Sequence, residues 1–389
     1  MDENEFKSIV KQNIHDRVRE GVKAVFEQIL EEEMTEHLQA EYRERTGGRR
    51  GERNGYYARS LVTPVGRIDQ LQVPRDREGE FLTEVFERYK RMTGDVEEAV
   101  LEMYLQGVST RKVAQVTQAL SRVRVGKDAV SRIASKLEDD LRAWRERKLE
   151  RCYPYLYLDA CYLKVSWGSY VGELALLVAI GVSEDGYREL LAVEAAGGER
   201  REAYRNLLKS LNDRGLKGVQ LVISDDHDAI KQAVMTELTG VRWQRCVVHF
   251  ERNVLSHVPA KDVRAVAEDL KAIFNVSRES SARSLAQDFV ARYQQRFSKA
   301  VATFERGLEE ALTFLQFPGS HQRLIRTTNP LERLFREVKR RTKVVGVFPG
   351  ETSALNLATA VLLRATEEWS LRKYLDMAPL EAMMANPQD

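Results

Sequence analysis

Three carboxylates lie far apart in the 389-residue chain, each where local structure would present it for chemistry. Asp159 lies in the middle of the strand-like run 155–165, and Asp225 directly follows the buried strand-like run 219–224. Functional side chains gather at the carboxyl ends of such strands. Glu332 lies on a later helix rich in basic residues. These three positions are the set that two-metal phosphoryl transfer requires, because Mg²⁺ binds hard oxygen ligands.

Each acid also has a plainer interpretation. Asp159 could be hydrogen-bonded to a loop or paired with an arginine, because a desolvated carboxylate needs a partner. Asp225 or its neighbour Asp226 could simply cap the helix that follows. Glu332 could complete a capping box with Asn329 as the N-cap. The residue types alone leave both interpretations open for each acid.

The elements that would position these acids follow from the apolar periodicity. We predict strands over 155–165, 171–182, 189–195, 219–224 and 243–248, and helices over 199–212, 227–238, 329–342 and 351–375. Three consecutive strands followed by alternating helix and strand predict a mixed sheet with helices on its faces. Residues 251–317 carry no strand pattern and several amphipathic helices, such as 263–274, which predicts an all-helical insertion.

The first 150 residues have a different texture, mostly helical with one β-rich stretch. We predict helices over 4–45, 96–106, 110–120 and 127–150, and a hairpin of strands 56–62 and 67–73 that Pro74 ends. A helix, a short turn at Gly107-Val108 and a helix capped by Ser109 form a helix-turn-helix pattern. Most three-helix units are simply small cores, so this pattern alone is a weak signal.

Composition excludes several classes of protein. The chain is 43% hydrophobic with three cysteines, which excludes wholesale disorder and a disulfide scaffold. Its longest apolar run, 174–182, is about half the length of a membrane helix, and its acidic start resembles no signal peptide. The net charge of +2 is unevenly spread, since residues 43–77 hold nine basic and four acidic side chains, and residues 323–343 hold eight and two. We therefore expect a cytoplasmic protein with two basic surfaces and no membrane partner.

Several short sequences accompany the three acids. They are Leu158-Asp159-Ala160, Asp213–Leu216 leading into Ile223–Asp225, Gln244–Asn253, Thr327–Asn329 with Glu332, and Phe348-Pro349, with Val73–Arg77 and Met103–Ser109 upstream. In this order they resemble the Mutator-type transposases of bacterial insertion sequences. The resemblance covers nearly the whole chain. It implies a DDE enzyme with an RNase H-like catalytic core.

The resemblance also implies which residues hold metal. Asp159, Asp225 and Glu332 would form the catalytic triad and bind two Mg²⁺ ions, which Mn²⁺ could replace. Many relatives have glycine after the second acid, where this chain has Asp226, so the choice of ligand between these two neighbours stays open. We choose Asp225 because it keeps the strand-end position.

A Cys-x-x-His signature of the family is met by Cys246 and His249. Structural zinc is disfavoured here, because only His257 is near and a zinc site needs a second ligand pair. Cys246 is expected to pack within its strand. His249, where the chain leaves that strand, is the candidate for a catalytic contact to the scissile phosphate.

The predicted fold class is α/β, an RNase H-like mixed-sheet catalytic core interrupted by an all-helical insertion and preceded by a helical DNA-binding region with a small β-hairpin. The predicted segments are 1–45, 46–94, 95–150, 151–250, 251–320 and 321–389. Candidate DNA contacts are Arg111, Lys112, Lys127 and Arg132 in the helix-turn-helix and Arg333, Arg336, Lys339 and Arg340 on the helix of Glu332.

The predicted function is a transposase that binds the terminal inverted repeats of an insertion sequence and catalyses metal-dependent strand cleavage and strand transfer. Its expected partners are those repeats, target DNA and a second copy of itself, in the cytoplasm of a bacterium and associated with the nucleoid. Two alternatives stay open at this point. A structure-specific nuclease or resolvase would share the acids, and a catalytically silent regulator would share the helix-turn-helix.

Overall fold

The chain divides into two compact units, residues 1–137 and 138–389. The computed structural model describes residues 3–86, 90–106, 108–121, 123–197 and 201–385, so the predicted turn residue Gly107 lies outside the described part. The six predicted segments are a finer division and stay a prediction. Across the described residues, every helix is too short or too polar to cross a membrane.

The first unit consists of a long helix, a β-hairpin and three short helices. They are α1 (Glu3–Leu38), β1 (Arg53–Thr63), β2 (Gly66–Asp76), α2 (Gly94–Leu105), α3 (Thr110–Ser121) and α4 (Lys127–Ser135). The end predicted for α1 is wrong, because Gln39 adopts a φ of 50°, which a right-handed helix cannot continue. Pro74 does not end β2 either. It pairs with Tyr56, and a proline is tolerated in a strand that has a free edge.

Two small cores meet at the hairpin of this unit. Successive residues of a strand point to opposite faces, and Leu61 and Val62 of β1 do so here. Leu61 is buried beside Leu30 of α1 and Leu71 of β2. Val62 is buried in a second cluster of apolar residues from α2, α3 and α4. The hairpin is therefore packed on both faces, against α1 on one and against the three short helices on the other.

The second unit contains the remaining elements. They are α5 (Leu137–Glu146), β3 (Tyr155–Ser166), β4 (Val171–Val182), β5 (Arg188–Ala196), α6 (Arg201–Asp213), β6 (Leu221–Ser224), α7 (Asp228–Glu237), β7 (Arg242–Arg245), α8 (Val247–Leu255), α9 (Val263–Phe274), α10 (Glu279–Tyr293), α11 (Ser298–Leu312), α12 (Gly319–Ile325), α13 (Asn329–Thr342), α14 (Glu351–Thr366) and α15 (Ala378–Ala385). Three predictions are wrong here. The helix predicted over 127–150 is broken at Lys136, and the strand predicted over 243–248 ends at Arg245, where α8 soon follows. The helix predicted over 351–375 ends at Thr366, where a short 3-10 helix over Glu367–Leu371 follows.

The predicted mixed sheet is confirmed as a five-stranded sheet in the order β5-β4-β3-β6-β7. The strands β5, β4 and β3 pair antiparallel, whereas β6 and β7 run parallel to β3. Leu156 and Leu158 of β3 face the apolar core under α6 and α7. The alternate residues face the other side, where the Tyr155 hydroxyl is hydrogen-bonded to His321 and the Tyr157 hydroxyl donates to the Leu324 carbonyl. This second face is the one that α13 and α14 cover.

The segment 251–317 is described throughout and holds helices without a strand, as predicted. Stacked and edge-on rings of Phe250, Phe274, Phe289 and Phe304 form its centre. The segment returns to the sheet at β7, where the buried Gln244 amide donates to the Ala311 carbonyl at 2.8 Å.

A glycine in α11 allows this close return. A Cβ at Gly307 would lie 2.5 Å from Nη1 of Arg245 and 2.7 Å from the Phe250 ring, closer than real contacts allow. We expect Gly307→Ala to displace the Arg245 guanidinium and to lower the free energy of unfolding by about 1–3 kcal/mol. Chemical denaturation measures this change. Gly319→Ala is the matched control, because nothing lies within 4 Å of its Cβ position; equal stability of the two variants would contradict the packing described.

Candidate functional site

The pairing of β3 with β6 brings two of the three acids to the same level. The strands pair in parallel at Tyr155 with Leu221 and at Tyr157 with Ile223. Two residues beyond this last pair in both strands, Asp159 of β3 lies beside Asp225, which directly follows β6. Neighbouring strands are about 4.8 Å apart. The backbone therefore holds these two carboxylates as neighbours at the carboxyl end of β6.

The face of β3 that carries Asp159 is covered by α13. Asp159 shares this face with Cys161, and both residues are buried. Burial raises the pKa of the Cys161 thiol to about 12, and the charge of Lys339 on α13 opposes that rise. One Asp159 oxygen accepts the Ala160 backbone N–H at 2.8 Å. A basic helix therefore lies over the first acid.

Glu332 extends from the first turn of α13 toward α8. Its Oε1 lies 3.5 Å from Nε2 of His249 and 3.6 Å from Nη1 of Arg252. Those two cations are neighbours on α8, because residues three apart lie on the same side of a helix. The capping-box interpretation of Glu332 is wrong, since Thr328 rather than Asn329 is the N-cap and the cap has no side-chain hydrogen bond. The carboxylate thus faces other side chains and not its own helix end.

Cys246 joins the start of α8 to the start of α13. Its buried Sγ accepts hydrogen bonds from the backbone N–H and the hydroxyl of Thr328, both at 3.4 Å. The Val247 N–H also donates to the Arg326 carbonyl at 3.0 Å. Cys246 is the N-cap of α8 and His249 lies within α8, so the prediction that Cys246 packs within a strand is wrong. The junction fixes Glu332 opposite His249.

Cys246 and His249 change each other's protonation. Burial raises the pKa of the Cys246 thiol, but the interaction with His249 and the hydrogen bond from Thr328 together outweigh burial and lower it. The interaction with the neighbouring Cys246 sulfur raises the pKa of His249 to about 9, although burial opposes the rise, and the charges of Asp159 and Asp225 add to it. His249 therefore interacts electrostatically with both sheet acids and contacts Glu332. It is cationic at neutral pH.

Asp226, the alternative to Asp225, has other partners. Its carboxylate lies 2.9 Å from Nζ of Lys231 and 2.7 Å from Nη2 of the buried Arg245. Both cations also lie near Glu310 of α11, at 2.8 Å and 3.8 Å. This ion-pair cluster ties the loop after β6 to the helical segment. Asp226 is therefore engaged in holding the scaffold, while Asp225 stands level with Asp159.

Two residues at this site were not among the predicted ones. Arg252 faces Glu332, and Thr328 binds Cys246. Their signal in the sequence is helical spacing, because Arg252 follows His249 by three residues. The prediction missed that relation because it ended a strand at 248 and did not assign His249 and Arg252 to one helix, whereas α8 contains both.

The chemistry of the acids suits a hard divalent cation. In the described ranges, no three His, Cys, Asp or Glu side chains stand close enough to hold a metal ion as they are. Asp159 and Asp225 offer carboxylate oxygens at adjacent backbone positions, which is the donor type that Mg²⁺ and Mn²⁺ prefer. Glu332 instead faces the cationic side chains of His249 and Arg252.

The predicted DNA contacts fall into two exposed groups, one on each unit. Arg333, Arg336, Lys339 and Arg340 are exposed along α13, and Arg340 pairs with Glu337 at 3.1 Å. Arg111 and Lys112 are exposed on α3, and Lys127 and Arg132 are exposed on α4. Each group of four is accessible on its own unit.

The charge of His249 gives a direct spectroscopic prediction. In chelator-treated protein, we expect the imidazole to remain protonated from neutral pH until the pH rises through about 9, the pKa that its partners impose. Cys246→Ala removes the first of these partners and should lower the pKa by at least about one unit. NMR titration of the His249 ring measures both values. Cys152→Ala is the control that leaves the titration unchanged, and an unaltered pKa in Cys246→Ala would contradict the pairing.

Comparison with known proteins supplies the remaining finding. A family model described as "Transposase, Mutator family" matches residues 2–371. The chain is 40% identical over 366 residues to the transposase for insertion sequence element ISRM5 of Rhizobium meliloti (strain 1021), covering 94% of this chain and 92% of that protein. It is also 40% identical over 381 residues to the transposase for insertion sequence element IS256 in transposon Tn4001 of Staphylococcus aureus, covering 96% of each. A solved Drosophila P element transposase strand transfer complex matches with a TM-score of 0.32 and 12% identity over 79% of this chain and 87% of that one, too weak a likeness to support an argument.

Proposed function

The chain belongs to the Mutator family of transposases, and we propose that it moves its insertion sequence with chemistry centred on Asp159, Asp225 and Glu332. Relatives that it matches along almost their whole length are transposases for insertion sequences. This favours transposition over a nuclease, a resolvase or a silent regulator. The observation that carries the site is the β3–β6 register, which makes Asp159 and Asp225 neighbours.

We propose that the five-stranded sheet is an RNase H-like core. Its support is the topology, in which three consecutive antiparallel strands are followed by two strands parallel to β3. The helical segment from α8 to α11 would then be an insertion between β7 and α13. In this assignment the helical segment would have two roles. It carries His249 and Arg252 at its start, and Glu310 of α11 lies near Arg245, which pairs with Asp226.

Asp159, Asp225 and Glu332 would hold two Mg²⁺ or Mn²⁺ ions. Such ions, when bound, lower the pKa of an attacking water or hydroxyl and stabilise the charge on the leaving oxygen. The sheet fixes the first two carboxylates through backbone register. Glu332 pairs with His249 and Arg252. If Glu332 bound a metal ion, those two cations would be free to bind the negatively charged phosphate of DNA.

The proposed reaction has two steps at phosphorus. Water attacks a phosphodiester at the element end, and the 3′ oxygen leaves as a free hydroxyl. That hydroxyl then attacks a phosphodiester of target DNA, and the 3′ oxygen of the target strand leaves. His249 and Arg252 would orient the scissile phosphate in both steps, while the exposed basic residues of α13 would hold the flanking backbone.

The three-helix part of the first unit is proposed to recognise the terminal inverted repeats. Its support is the exposure of Arg111, Lys112, Lys127 and Arg132 on α3 and α4, whose apolar sides are buried together. Exposed cations on two neighbouring helices fit both phosphate contacts and base contacts in a DNA groove.

Two adjacent acids provide a matched test of the catalytic assignment. We expect Asp225→Asn to reduce nicking of a duplex carrying one element end by at least about 1,000-fold, because it removes a ligand that acts in the transition state. Asp226→Asn makes the same chemical change one residue later and should keep cleavage at 25 °C, with a lower Tm from the weakened Lys231 and Arg245 pairs. Gel shift should show that both variants still bind the duplex. Retained cleavage in Asp225→Asn, or its loss in a folded Asp226→Asn, contradicts the assignment.

The salt dependence of binding tests the proposed DNA contacts on α4. The double variant Lys127→Ala/Arg132→Ala should weaken binding of the element-end duplex and lower the slope of log K against log salt by about one unit for each phosphate that the variant no longer neutralises. Lys136→Ala is the control on the same segment, because Lys136 pairs with Glu97 at 2.6 Å and is not expected to contact phosphate. An unchanged slope in the double variant would remove α4 from the DNA interface.

A further inference from the structure

Helix α1 carries two adjacent apolar stripes, and the hairpin covers one of them. Leu30 and Phe26 lie in the buried cluster under the hairpin. Ile14, Val18, Val25 and Ile29 lie beside that stripe on the helix and are 56%, 44%, 55% and 37% exposed. At 100° per residue these four side chains fall within about 60° of one another around the helix. The second stripe is therefore continuous over about 22 Å, the rise of four helical turns.

The exposed stripe reads the same in both directions along the helix. The order is Ile, Val, Val, Ile, with intervals of four, seven and four residues between positions 14, 18, 25 and 29. Its midpoint lies between Gly21 and Val22. A two-fold axis through that point would place Ile14 on Ile29 of a second copy and Val18 on Val25. Isologous contact of this kind is how closed dimers are built, with the same patch on both subunits.

We propose that the stripe of Ile14, Val18, Val25 and Ile29 is a dimer interface in which α1 pairs antiparallel with α1 of a second copy of this chain. Gly21 lies at the midpoint, where the space within 4 Å of its Cβ position is open, so the chain's own packing does not fill the crossing point. Helix axes that pack face to face lie about 8–10 Å apart, and a missing side chain at the crossing favours the short end of that range.

Charge decides the direction of the pair and the class of partner. Residues 24–38 hold five glutamates and no lysine or arginine, whereas residues 3–23 hold five basic and four acidic side chains. Parallel pairing would set the two acidic halves side by side, where like charges repel. Antiparallel pairing sets each acidic half against the nearly balanced half. The same acidic half makes this face unsuitable for nucleic acid, so a second copy is the occupant that fits.

The interface is independent of the catalytic assignment, and the mass of the full-length protein tests it. We expect a dimer at micromolar concentration in analytical ultracentrifugation, and we expect Val18→Glu/Val25→Glu to raise the dimer Kd by at least about 100-fold. Asn13→Glu/Ala24→Glu adds the same charge to exposed positions of α1 outside the stripe and should stay dimeric. A monomeric wild type, or a dimer that Val18→Glu/Val25→Glu leaves intact, overturns the proposal.

Cysteine cross-linking tests the direction. In a Cys152→Ser background, a mixture of Val18→Cys chains and Val25→Cys chains should form a disulfide-linked dimer. Either variant alone should not, because seven residues separate its two copies by about 10 Å along the pair, beyond the reach of a disulfide. Efficient cross-linking of each single variant to itself would mean a parallel pair and overturn the proposed arrangement.

Discussion

The parallel register between β3 and β6 is the constraint on which the site depends. Because the side-chain period of a strand is two, a slip of one residue would turn Asp159 toward the core under α6 and α7 and bring Leu158 to the other face. The long antiparallel pairing of β3 with β4, which runs from Tyr155 to Ser166, makes such a slip costly. The sheet therefore places two acids side by side before any side-chain interaction is considered.

The third acid is positioned by contacts between helices. Thr328, which caps α13, donates to Cys246, which caps α8, so the two helix starts are tied together. Glu332 on one helix then faces His249 and Arg252 on the other. The neighbouring residues Asp225 and Asp226 have different roles. Asp225 lies beside Asp159, whereas Asp226 pairs with Arg245. The Arg245 guanidinium fits against α11 because residue 307 is glycine.

Much of this fold follows from the sequence, because continuous runs of Val, Leu and Ile identify buried strands with little ambiguity. The limits of β4 were predicted to the residue, as were those of α9. The strand predicted over 243–248 was too long, because β-branched residues such as Val247 and Val248 are typical of strands but here begin α8. The partners of Glu332 lay beyond prediction, since they come from a helix about eighty residues away and depend on tertiary packing.

The resemblance to Mutator transposases named three acids, and the ion pairs of Asp226 with Lys231 and Arg245 favour Asp225 over its neighbour. Anomalous diffraction from crystals soaked in Mn²⁺ tests whether Asp159 and Asp225 bind the metal together. We expect an Mn²⁺ peak within about 2.3 Å of carboxylate oxygens of both Asp159 and Asp225. A peak on Asp226, or no metal between β3 and the end of β6, would contradict it.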